Sequence, residues 1–189
     1  MTDLIDVAMD VQTILQNLGW RFTFIGGLAV QQWGEPRLTR DVDLSLLTGF
    51  GREESFIDEL LCHFQPRVSN CREFALRNRV VLLQQRERVG IDIALAGLPF
   101  EEGMIDRAVE IEVLPGKRLV LCTAEDLIVL KAFAARPMDW RDVESIVQRQ
   151  GVWALNWHYV RRQLAPLVEA KEDPEIPHHL DRIIHRAER

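Results

Sequence analysis

Cysteine is scarce in this sequence: Cys62, Cys71 and Cys122 are the only three in 189 residues, and none falls in a CxxC spacing. An odd set without that spacing argues against a disulfide framework or a cysteine-rich zinc site, and it suits a reducing compartment. Long hydrophobic runs are missing as well. Apolar residues make up 47% of the chain, yet charges interrupt them throughout. No span approaches the roughly 18 uncharged residues a bilayer crossing needs. The opening Met1-Thr2-Asp3-Leu4-Ile5-Asp6 lacks a basic n-region and carries acids where a signal peptide is apolar, so secretion is not expected and the cytoplasm is the anticipated compartment. Positive charge is not in excess either. A net charge of −6 argues against nucleic-acid binding over the whole surface. Arginines cluster at Arg77-Asn78-Arg79, Arg86-Glu87-Arg88 and Arg161-Arg162, which leaves a local basic patch open. Neither an internal repeat nor a low-complexity segment is present.

The length suits one globular domain with a real core, or a core carrying a helical extension. Leu4, Val7, Ala8, Val11, Ile14, Leu15 and Leu18 recur at helical intervals and predict an amphipathic helix over 4–18 that ends near Gly19. Arg21 to Ile25 alternates and is rich in β-formers, a strand that stops at Gly26-Gly27. Leu28 to Trp33 has helical composition, broken by Gly34-Glu35-Pro36. Asp41 to Leu47 has strand periodicity, with Asp41, Asp43 and Ser45 on one side. A helix is expected over 53–64, then three short strands at Cys71–Ala75, Arg79–Gln85 and Ile91–Ala94, and a hairpin of 109–114 with 118–121 around Pro115-Gly116-Lys117. From Thr123, a plausible N-cap followed by Glu125 and Asp126, the pattern turns helical: to about Arg136, from Pro137 through Gln150, then 156–170 and 176–187. The fold class is thus α+β: a mixed sheet flanked by helices over 1–120, followed by a helical region over 121–189.

The chemistry concentrates in Gly26-Gly27 and Asp41-Val42-Asp43. Two aspartates two apart on a strand emerge on one face roughly 6–7 Å apart. Carboxylates on a rigid element supply the hard oxygen ligands magnesium prefers, and substrate phosphates and water complete its shell. Asp92, inside Gly90-Ile91-Asp92-Ile93-Ala94, offers a third carboxylate. Phosphoryl and nucleotidyl transfer need such cations to neutralise charge on the transferred group. Each piece has a plainer account. Two aspartates in an alternating strand are ordinarily a solvated face, and a glycine pair after a strand is ordinarily a turn. Asp92 either faces solvent on an edge strand or is drawn to a charge partner, because unpaired burial is costly. The glycine pair gains weight from its place before a helix, where bare backbone amides can cradle phosphate.

Strand, Gly-Gly, short helix, Asp-Val-Asp and a later strand Asp resemble the DNA polymerase β-type nucleotidyltransferase superfamily. More narrowly, Gly26-Gly27-Leu28-Ala29-Val30, Leu38-Thr39-Arg40-Asp41-Val42-Asp43-Leu44 and Ala124-Glu125-Asp126-Leu127-Ile128-Val129-Leu130-Lys131 resemble its AbiEii/AbiGii toxin-like branch, over roughly 20–147. The resemblance implies that Gly26 and Gly27 hold the β- and γ-phosphates of an NTP, and that Asp41 and Asp43 bind Mg2+. It implies that Asp92 completes the metal site and helps deprotonate the acceptor hydroxyl, and that Lys131 reaches the triphosphate. The acceptor it implies is RNA, a tRNA 3′ end, in a toxin–antitoxin or phage-defence pair with an antitoxin protein as partner. Transfer to a small molecule or a protein hydroxyl keeps the same chemistry, and a non-catalytic nucleotide-binding or interaction module keeps only the fold. Gly27 departs from the Gly-Ser of many superfamily members and offers backbone alone.

The remaining residues have lesser expectations. Lys131, in an apolar run, needs a surface exit or an anionic partner. Arg37 and Arg40 flank the carboxylate strand, suited to phosphate or to pairing with an aspartate. Arg136, Asp139 and Asp142 resemble the family's Arg-x-x-Asp-x-x-Asp segment, read as structural pairing that fixes two helices, with support of the site as a further role. His178, His179 and His185 are not expected to bind metal, Trp140, Trp153 and Trp157 are expected to pack helices, and the cysteines to fill core.

Overall fold

A computed structural model describes residues 2–85 and 89–189; the Arg86-Glu87-Arg88 cluster lies outside the described residues. The chain divides into two compact units, one of Met1–Leu28 and Leu38–Cys122, the other of Ala29–Arg37 and Thr123–Arg189.

The first unit is built on a mixed sheet. In chain order its strands are β1 (Phe22–Phe24), β2 (Asp41–Leu47), β3 (Gln65–Pro66), β4 (Val80–Gln85), β5 (Val89–Ala96), β6 (Val109–Leu114) and β7 (Lys117–Leu121). They lie side by side as β3-β4-β5-β2-β1-β7-β6. The β2–β5 and β1–β7 pairs are parallel and the other four antiparallel. Alternation decides which residues reach the core. Val42, Leu44 and Leu46 of β2 and Ile91, Ile93 and Leu95 of β5 are buried in one cluster with Val7, Val11 and Leu15 of helix α1 (Thr2–Asn17). Period two then sends Asp41, Asp43 and Asp92 to the opposite face. Gln12 of α1 fastens the helix to β7: its amide donates to the Arg118 carbonyl at 2.9 Å and accepts from the Val120 N–H at 3.0 Å.

Two helices differ from the sequence expectation, and the short strand β3 lies where no element was expected. Cys71–Asn78 is a helix, α4, which follows α3 (Glu53–His63), and not a strand. Cys71 and Ala75 are buried four residues apart, the helical interval, while Arg72 and Glu73 between them are exposed; a five-residue window was too short to separate the two periods. A further helix, α5 (Pro99–Asp106), fills a stretch given no element above. Its signals are Pro99 in the first turn and Glu101, which accepts from the Gly97 and Leu98 N–H groups at 2.8 Å each.

Helix α2 (Gly26–Trp33) begins in the first unit and ends in the second. The second unit continues with α6 (Ala124–Ala134), α7 (Pro137–Gln150), a 3-10 turn at Val152–Ala154, α8 (Trp157–Lys171) and α9 (Glu175–Ala187). Thr123 caps α6 as expected, its hydroxyl accepting from the Asp126 N–H at 3.2 Å. Asp126 is fully buried and satisfied by the hydroxyls of Thr123 at 2.8 Å and Tyr159 at 2.5 Å, so its burial does not leave a carboxylate unpaired. No helix among the described residues is long and apolar enough to cross a membrane. Trp153 is 81% exposed and packs no helix, and Cys62 is exposed; Cys71 and Cys122 are buried. Trp140 stacks on His179, and the Trp157 indole donates to the Val152 carbonyl at 2.7 Å.

Candidate functional site

β1 ends where its backbone is pinned to the carboxylate strand: the Ile25 N–H donates to the Asp43 carbonyl at 2.9 Å. The chain must turn at once into α2, and Gly26 makes that turn at φ +57°, a left-handed conformation that glycine adopts without penalty. A Cβ on Gly26 would fall on the Asp43 carboxylate. The next amide, the Gly27 N–H, donates to Asp43 Oδ2 at 3.3 Å. A Cβ on Gly27 would meet the Thr39 hydroxyl, which donates to the Asp41 carbonyl at 3.4 Å. Both glycines are therefore needed for close approach, and the carboxylate of Asp43 sits against the amino end of α2, where the helix dipole favours negative charge.

In the parallel ladder, Asp43 stands opposite Asp92 and Asp41 opposite Gly90. Neighbouring strands are about 4.8 Å apart, so two carboxylates on one face in register are close neighbours. β5 is an interior strand, flanked by β4 and β2, so Asp92 is not the edge-strand residue of the first alternative. It has the charge partner of the second. Arg67, immediately after β3, donates one guanidinium nitrogen to Asp92 Oδ1 and another to Asp41 Oδ1 at 3.3 Å. Burial pushes the Asp92 carboxyl above the ordinary carboxylate value; Arg67 offsets part of that rise and the Asp41 charge adds to it.

Among the described residues, no three acidic, histidine or cysteine side chains converge closely enough to hold a metal ion. The three aspartates share a face but are drawn to separate donors, Asp43 to the Gly27 amide and Asp41 and Asp92 to Arg67. The donor chemistry nevertheless fits a hard divalent cation: three carboxylates on rigid adjacent strands, one cationic side chain already gathered between two of them, and a glycine cradle beside the third.

Arg40 is exposed and forms no ion pair among the described residues. In the second unit Lys131 is 8% exposed and has the anionic partners its apolar surroundings demand: its ammonium lies 3.0 Å from Asp139 and 2.8 Å from Asp142. Asp142 also accepts a bidentate pair from Arg37 at 2.8 and 2.9 Å, and Asp139 accepts from Arg136 Nε at 2.5 Å. Burial raises both carboxyls, but the arginine and lysine hydrogen bonds outweigh it and hold each below the ordinary value. Arg67 and Thr39 were missed by sequence reasoning. Thr39 adjoins the Asp-Val-Asp motif, whereas nothing local marks Arg67, which reaches the site only because β3 pairs with β4.

A mixed sheet flanked by helices, followed by a run of C-terminal helices, is a fold this chain shares with nucleotidyltransferases. The chain belongs to the family described as nucleotidyl transferase of unknown function (DUF2204), which matches residues 5–182, and it is a nucleotidyltransferase. The narrower toxin-like branch is not what this match identifies. Among solved structures, the chain resembles the antibiotic-resistance factor ANT(2'')-Ia, with a TM-score of 0.54 and 17% identity over 94% of this chain and 98% of that one. It also resembles an antigenic nucleotidyltransferase-like protein from Paracoccidioides brasiliensis, with a TM-score of 0.53 and 15% identity over 96% and 93% of the two chains. At these identities the likeness is one of fold. No curated protein matches the sequence.

Proposed function

We propose that the protein transfers a nucleoside monophosphate from an NTP to an acceptor hydroxyl in the cytoplasm, with Asp41, Asp43 and Asp92 holding Mg2+. The observation that supports this most is the pairing of Asp43 with Asp92 across β2 and β5, with Gly26 and Gly27 packed against Asp43. Bound Mg2+ would neutralise phosphate charge and polarise the reacting oxygens. The chain's own residues do the rest. Gly26 and Gly27 are assigned to the phosphates and Arg40 to nucleotide contact. Asp92, its proton affinity raised by burial, accepts the proton of the acceptor hydroxyl. The freed oxygen attacks the α-phosphorus, the bond to the bridging oxygen breaks, and pyrophosphate leaves with that electron pair.

Two acceptor classes follow from different observations. The motifs shared with the AbiEii-like toxins favour an RNA 3′ end, with an antitoxin protein as partner. The fold shared with ANT(2'')-Ia, solved in complex with adenylyl-2''-tobramycin, favours a hydroxylated small molecule. Incubating the protein and its Asp43→Ala variant with each α-labelled NTP, Mg2+ and either total RNA or an aminoglycoside panel separates them. Label in RNA supports the first and label in the small molecule the second. No Asp43-dependent label in any arm, including the protein itself, overturns nucleotidyl transfer.

A further inference from the structure

Arg67 is the site residue that no motif accounts for. Its backbone N–H donates to the Leu82 carbonyl at 2.9 Å, continuing the β3–β4 ladder and fixing where its side chain starts. Its fork then spans two carboxylates on two different strands, Asp41 of β2 and Asp92 of β5. A second feature shows that the space is built for it. Gly90 is the register partner of Asp41, and a Cβ at position 90 would fall on both the Asp41 carboxylate and the Arg67 guanidinium. A side chain at that rung would have to displace the ends of both the aspartate and the arginine from where they now meet.

We infer that Arg67 is an internal placeholder for the divalent cation, and that metal enters by displacing the guanidinium from Asp41 and Asp92. The inference rests on the nucleotidyltransferase reading above. Three carboxylates on one face repel one another, and a single fixed cation relieves that repulsion in the metal-free protein. The oxygens Arg67 engages, Oδ1 of Asp41 and Oδ1 of Asp92, are on two of the three proposed ligands. With the fork in place, no three acidic, histidine or cysteine side chains among the described residues converge on one ion. Guanidinium and metal thus compete for the same carboxylates, and the released side chain is a cation set free in a site that has just received a triphosphate. Arg67 side-chain exposure of 31% leaves it room to withdraw. It acts as a positioning residue.

The test is Mn2+ binding to the full-length protein, followed by the electron paramagnetic resonance signal of free Mn2+, for wild type, Arg67→Gln, Arg67→Lys and Asp43→Asn, with and without a non-hydrolysable NTP analogue. Arg67→Gln should tighten Mn2+ binding roughly tenfold, because a charge-assisted fork no longer competes. Arg67→Lys, a point charge without the fork, should fall between. Melting without metal should be lower for Arg67→Gln, and Mn2+ should restore more of it than it adds to the wild type. That second readout also shows that the variant folds. Equal or weaker Mn2+ affinity in Arg67→Gln overturns the placeholder role and leaves nucleotidyl transfer standing if wild-type binding still depends on Asp43. No Asp43-dependent Mn2+ binding in any protein, even with the analogue, overturns both.

Discussion

Gly26 and Asp43 occupy space that only a hydrogen atom at position 26 leaves free, because a Cβ there would overlap the carboxylate itself. The constraint is doubled by the backbone, since φ at Gly26 is +57°. Gly26→Ala should therefore cost stability of about 1–3 kcal/mol from the left-handed backbone alone. It should also push Asp43 off its place against α2. Nucleotidyl transfer should fall by far more than the change in melting temperature explains, which a comparison of kcat with a thermal melt will show.

Asp92→Asn is close to isosteric and keeps a hydrogen-bond acceptor toward Arg67, but it cannot take a proton. If Asp92 is the base, kcat should drop about 10²–10⁴-fold. Nucleotide binding, measured by fluorescence titration with Mg2+, should change much less. A drop in nucleotide affinity that accounts for the whole loss would make Asp92 a metal ligand only.

The ammonium of Lys131, held between two nearly inaccessible aspartates, makes a different demand. Lys131→Met leaves Asp139 and Asp142 without one of their cations, and denaturant unfolding should show a loss of about 3–5 kcal/mol. Arg37 and Arg136 still serve one aspartate each, which favours the lower end. If the nucleotide KM also rises in a Lys131→Arg variant that melts like the wild type, Lys131 contacts phosphate besides holding α6 to α7.

The Trp140 and His179 rings stack with centroids 4.1 Å apart and planes 2° from parallel. Burial holds the His179 imidazole below its ordinary value of 6.5, Arg182 and Arg186 push in the same direction, and Glu144 opposes them. Because the folded value is depressed, the unfolded chain takes up the proton first, and stability falls as pH drops from about 6.5 through the folded value. His179→Gln should flatten that part of the melting temperature profile between pH 7 and 5. An unchanged slope would place the pH dependence elsewhere.

Most of the fold was legible because its elements obey a single period each. Leu4 to Leu18 and Asp41 to Leu47 show one face of a helix and one face of a strand without ambiguity. Cys71–Asn78 was not, since its helical period rests on two small residues, Cys71 and Ala75. At the site, Gly26, Gly27, Asp41 and Asp43 are neighbours in sequence and declared themselves together. Arg67 could not, because its meeting with Asp41 and Asp92 depends on three strand pairings, β3 with β4, β4 with β5 and β5 with β2, that no local pattern encodes. Lys131 announced a need for an anion, and the chain met that need with Asp139 and Asp142, eight and eleven residues on.

Asp43 and Asp92 face one another by virtue of counting along the two strands of one ladder rather than by any bond between them. Chain added in the connections outside β2 and β5 leaves that count untouched. One residue inserted between Val89 and Ile91 would bring Ile91 opposite Asp43 and turn Asp92 toward the packed interior. Evolution can thus lengthen the surroundings of this site freely, while the few residues at the start of β5 tolerate substitution at most and never a change in length.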